Sequence, residues 1–203
     1  FTVEGNTINI IADFMSYVDI ASARAHVTVN EKTTTENAVA PNDGGNGETE
    51  FHHILMKMLE SAQGNTISIK AGEYQRLEYS FDMSSTNVEE MNDLEVSLWL
   101  QNHSTKEVYN SNFAYEYSEH AYPVENLTLN FNENNTDVNI EWNAPQAGNP
   151  VGYNVIIDGR LIGNNISELS YYDNTINYND GKQHIFEVVA LYEDGKTSVG
   201  VAK

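Results

Sequence analysis

EFHHILMKMLES, Glu50–Ser61, decides how the first half of this 203-residue chain is read. Its apolar residues Phe51, Ile54, Leu55, Met58 and Leu59 recur at i, i+3, i+4, i+7 and i+8, one face of a helix. Read as a strand, neither of its faces is consistently apolar. Thr49 stands where it would cap the first turn, and Gly64 where such a helix would stop. The spacing predicts one short α-helix over about Glu50–Ser61. On that helix His52 and His53 project about 100° apart, so they do not share a metal as an i, i+4 pair does. Glu50 and His53 are i, i+3 and within reach, but a pair falls short of a three-ligand site. Glu50, His52 and His53 are therefore only a weak alternative as metal ligands, or as part of a metal-dependent hydrolase. The expectation is no catalytic residue, no metal and no cofactor.

Outward from that segment, strand periodicity takes over. In TINIIADF, residues Ile8, Ile10, Ala12 and Phe14 share a face, and in ARAHVTVNEK, Ala25, Val27 and Val29 alternate with Arg24, His26, Thr28 and Asn30. His26 falls on the polar face, as an ordinary surface residue. Ile67 and Ile69 precede a break near Gly72, after which Leu77, Tyr79 and Phe81 alternate with polar residues. LEVSLWLQN turns Leu94, Val96, Leu98 and Leu100 inward, and NFAYEYSE puts Phe113, Tyr115 and Tyr117 on one face. Strands with one apolar and one wet face predict an antiparallel β-sandwich over residues 1–122. The loop APNDGGNGETE lacks the alternating oxygen ligands and closing glutamate of a calcium loop.

After Pro123 a second set of strands begins. Val138, Ile140 and Trp142 alternate with Asn139 and Glu141. GYNVIIDGRLIG reads as a hairpin turning at Asp158–Gly159, and GKQHIFEVVALYEDGKTS as another turning at Asp194–Gly195. Short strands at regular spacing predict a second, small sandwich over residues 123–203. The expected fold class is mainly β: two tandem antiparallel β-sandwiches, the first with one short helix.

Composition narrows the company such a chain keeps. With 40% hydrophobic residues and 4 prolines it is globular rather than disordered. It has no cysteine, which removes disulfides, thiolate metal sites and cysteine nucleophiles. Ten bases against 30 acids give a net charge of −20, spread over both halves. Such a field repels phosphate backbones and anionic lipid, so no nucleic-acid partner is expected. No apolar run approaches the ~20 residues of a membrane helix. GxSxG, HExxH, the P-loop and the dinucleotide fingerprint are all missing. The chain opens at the edge of a strand pattern, so further residues are expected upstream.

The second half resembles a fibronectin type III domain of the variety common in large surface proteins of Bacteroidetes. The residues that carry this are Leu127, Trp142-Asn143-Ala144-Pro145, Gly152-Tyr153-Asn154-Val155, the Asp158–Gly159 turn, Tyr171-Tyr172-Asp173 and the alternating run Phe186 to Tyr192. The resemblance implies an immunoglobulin-like sandwich with Trp142 in its core. His184 stands where many such domains carry the tyrosine that ties down a strand corner. The first half, over about residues 5–120, is similar to the twenty-eight-kilodalton outer-membrane proteins of Bacteroidetes, a family labelled adhesins or lipoproteins. Gly47-Glu48-Thr49-Glu50-Phe51-His52-His53 and Met58-Leu59 carry that similarity, with the strands around Ala25 and Asp13. It implies the cell envelope, outer membrane or cell surface, with membrane attachment only through a lipid anchor absent from this chain, and no chemical role for the histidines.

These readings converge on a non-enzymatic surface protein, adhesin-like, binding an unidentified protein or glycan. The alternative is a purely structural spacer for an upstream domain. The candidate binding residues are Trp99, on the polar face of its strand, and Tyr115 and Tyr117 near the junction with the second half. Burial of Trp99 under the expected helix or at a seam is the competing reading, because large aromatics are usually mostly buried.

Overall fold

A computed structural model of the chain describes residues 1–36, 45, 47–117 and 119–203. The APNDGGNGETE loop lies largely outside the described residues. Among these, secondary structure consists of fifteen strands and 3-10 turns of three residues each. The molecule is mainly β, with several antiparallel sheets in two compact units.

The first unit comprises residues 1–12, 22–68 and 76–118. Its strands are β1 Thr2–Glu4, β2 Thr7–Met15, β3 Ile20–Thr34, β4 Phe51–Met58, β5 Asn65–Ile69, β6 Tyr74–Asp82, β7 Leu94–Gln101 and β8 Val108–Ala114, with β2, β3, β5 and β6 overrunning its limits. One sheet has the order β1-β2-β6; the other runs β4-β3-β7-β8, with β5 also on β3. The alternation read along these strands holds. Ile8 and Ile10 of β2, Val27 and Val29 of β3, and Leu94 and Val96 of β7 are buried together in one core.

The expected helix over Glu50–Ser61 is not formed. Phe51–Met58 is strand β4, antiparallel to β3, with Thr34 opposite Phe51 and Thr28 opposite Met58. A bulge explains why the helical spacing misleads. The register shifts between Val29 and Asn30, so β4 spends one residue more than β3 there. Met56, the extra residue, and Leu59 after it both pack into the core, although their numbers differ in parity. A bulged strand thus places apolar residues at spacings of two and then three, which overlaps the helical pattern. The partner strand settles the matter, since an isolated helix of this length is marginal. Gly64, read as a helix stop, sits instead in the turn between β4 and β5 at φ +65°, where a Cβ would lie 2.6 Å from the Ala25 carbonyl.

The second unit comprises residues 119–203 together with 13–21 and 69–75, two segments on the other side of the expected boundary at 122/123. Its strands are β9 Glu125–Phe131, β10 Val138–Asn143, β11 Gly152–Ile157, β12 Arg160–Ile166, β13 Ser170–Asp173, β14 Phe186–Leu191 and β15 Val201–Ala202. A three-stranded sheet β13-β10-β9 and a four-stranded sheet β12-β11-β14-β15 enclose one core. Trp142, Ile140, Val155 and Phe186 are buried in it, and the Trp142 ring meets Tyr153 edge-on at 5.5 Å. Asp158 and Gly159 both take positive φ in the two-residue turn of the β11–β12 hairpin, as its twist requires. The segment 69–75 joins this unit through the backbone: Ala202 N–H donates to the Gly72 carbonyl at 3.0 Å, and Gly72 N–H to the Ser16 carbonyl at 2.8 Å. Gly72 has φ +79°, and a Cβ there would stand 2.3 Å from the Ala202 oxygen.

Candidate binding surface

Alternation along β3, β7 and β8 turns one face of the five-stranded sheet of the first unit away from its core. Trp99 of β7 lies on that face, opposite His26 of β3 on one side and Ser111 of β8 on the other. The Trp99 and His26 rings are stacked, 4.8 Å apart and 10° from parallel. His26 is therefore not the ordinary surface residue that alternation suggested: it is 8% exposed, and its Nδ1 has no hydrogen-bond partner. Burial, then the charges of Arg24, Lys106 and His103, hold its pKa below the ordinary histidine value. Trp99 itself is half-buried, with one side covered by imidazole rather than by the helix expected above it.

The exposed aromatics lie farther along, at the end of β8. Phe113 is 59% exposed and Tyr115 66%, and Tyr115 stacks on Tyr117 at 5.5 Å and 10°. Only Phe113 belongs to β8, which ends at Ala114. Ala114, not Phe113, packs against the core. Burial, then the neighbouring Tyr115, raise the Tyr117 pKa. Two stacked phenols, one largely in solvent, provide a flat surface with hydroxyl groups at its rim.

The two adjacent histidines are brought close but not together on one ion. His52 Nε2 is 3.0 Å from Glu50 and His53 Nδ1 is 2.8 Å from Glu95, so each ring has its own carboxylate. The rings are 6.5 Å apart, His53 sits at φ 55°, and His52 also meets Thr33 Oγ1 at 3.3 Å. Among the described residues there is no group of three or more metal-ligating side chains.

In the second unit, sequence reading missed the use made of His184. Its Nδ1 is 2.7 Å from Asp158 and its Nε2 is 3.1 Å from Asp180, with the side chain only 10% exposed. A neutral imidazole donates from one nitrogen, so only the imidazolium satisfies both carboxylates. The Asp158 hydrogen bond leads the effects that raise the His184 pKa. Asp180 is held down at about 2, first by the Lys182 N–H and side chain and also by His184. Beside it, Tyr178 donates its phenol hydrogen to buried Asp173 and presents its ring to His184 edge-on. His184 and Tyr178 thus each close on carboxylates of this unit.

No family model matches this chain, and no curated protein matches it. Among the described residues no helix is long and apolar enough to cross a membrane.

Proposed function

We propose that this chain is a non-enzymatic binding module of a bacterial cell envelope, adhesin-like, that takes an extracellular protein or glycan on its first unit. The observation that carries the reading is the pair of exposed rings Phe113 and Tyr115 at the end of β8, with half-buried Tyr117 stacked on Tyr115. A folded surface loses free energy by leaving large rings in water, and such patches are used for binding. The envelope location rests on the likeness of residues 5–120 to the twenty-eight-kilodalton outer-membrane proteins, and the net charge of −20 is compatible with an exposed, soluble surface. The immobilised chain screened against glycan and matrix-protein arrays tests it, with Trp99→Ala alongside and its melting temperature recorded. Saturable binding that the folded variant loses supports the module. A blank screen favours a structural spacer.

A further inference from the structure

Strand β8 is the last in its sheet and pairs, among the described residues, with β7 alone. Six of its seven residues are exposed. An edge strand offers a row of unpaired backbone groups, and proteins commonly blunt such edges with lysine or proline. VYNSNFA, Val108–Ala114, has neither and no charge at all. Its own side chains occupy the edge instead. Asn110 Oδ1 accepts the Ser111 N–H at 2.8 Å, and Asn112 Oδ1 accepts the Phe113 N–H at 2.9 Å. Alternate N–H groups of an antiparallel edge point away from the sheet. The two asparagine oxygens thus stand where the carbonyls of a further strand would.

We propose that β8 is a docking edge for an extended, basic segment of a partner protein, which adds as a further strand and displaces the Asn110 and Asn112 caps. The exchange replaces one amide oxygen by another at each N–H and releases the asparagine side chains to water, so it costs little. Exposed Val108, Tyr109 and Phe113 supply apolar contact for side chains of the added strand. Charge selects the occupant. Exposed Glu107 and Glu116 flank the strand and outnumber Lys106 at its start, and the chain carries −20, so a second copy is repelled and a basic segment attracted. The inference rests on the binding reading above and narrows its partner to a polypeptide.

The test titrates the full chain with the peptide KTVTVTK, acetylated and amidated, and follows amide exchange by NMR. Saturable binding that slows exchange at Ser111 and Phe113 and weakens with added salt is expected. Ser111→Pro removes one outward N–H at a position where an edge strand tolerates proline. It should bind the peptide roughly fivefold more weakly, the loss of one hydrogen bond, with the fold retained. Asn112→Val, which removes a cap and keeps the strand, should bind more tightly than the parent. Unchanged exchange at Ser111 and Phe113 overturns the proposal, as does binding that neither variant alters. A dimer of the chain alone that protects the same amides also overturns it, by making a second copy the occupant. A saturable array hit without peptide protection removes the docking edge and leaves the binding module standing; blanks in both assays remove both.

Discussion

His184 is the residue whose ionisation most directly ties side-chain geometry to stability. Between Asp158 and Asp180 the imidazolium is favoured, so the folded pKa lies above the unfolded value. The stabilisation is fully present below the ordinary histidine value of about 6.5 and is lost as pH rises through the raised one. The melting temperature of the chain should fall on this alkaline side, and His184→Gln should flatten that fall; a variant with the parent's slope would contradict the clasp. His26 works in the opposite direction. Its lowered pKa gives a contribution present above about 6.5 and lost as pH falls through the folded value. His26→Phe keeps a ring against Trp99 and removes the buried, unpartnered nitrogen. Relative to the parent, it should gain stability progressively on acidification below about pH 6.5, as read by thermal melts.

At the scale of elements, alternation was legible wherever a strand ran without a bulge. Ile8 and Ile10, Val27 and Val29, Leu94 and Val96, and the strand of Trp142 all face as their spacing indicates. The Asp158–Gly159 hairpin was legible for a different reason, because few residue pairs accept two successive positive φ angles. β4 was not legible, since its bulge is specified by pairing with β3, a partner about thirty residues away in sequence. For the same reason the aromatic surface was readable only as candidates: Tyr115 is exposed and Tyr117 half-buried, while Trp99 is half covered by a histidine that spacing alone assigned to solvent. Glu31 shows a further limit. It sits on β3 among charged and polar neighbours, yet it is fully buried, and its carboxylate accepts the N–H groups of Glu89 at 3.0 Å and Glu90 at 2.6 Å. Nothing local marks it, because the donors come from a loop far along the chain. Glu31→Ala would strand both donors, and urea unfolding should show a loss of about 3 kcal/mol. A loss below about 1 kcal/mol would mean that water replaces the carboxylate there.

For the whole molecule, the proposed binding reading joins the acidic field to the aromatic surface. A net charge of −20 disfavours contact between like-charged copies, and on that reading the uncharged, exposed rings are where a partner would be met. The first unit concentrates such rings around the end of β8, and Phe113 and Tyr115 are the most exposed of them. Trp99→Ala removes a half-buried ring, so its effect on binding mixes with its effect on packing. Tyr115 and Tyr117 offer the cleaner comparison, because their stack lies outside the core. The measurement that addresses the binding surface most directly is therefore the array screen repeated with the Tyr115→Ser/Tyr117→Ser double variant at matched melting temperature. Hits on the parent chain that the double variant loses are expected; hits of equal strength on both would place binding elsewhere and rule this surface out.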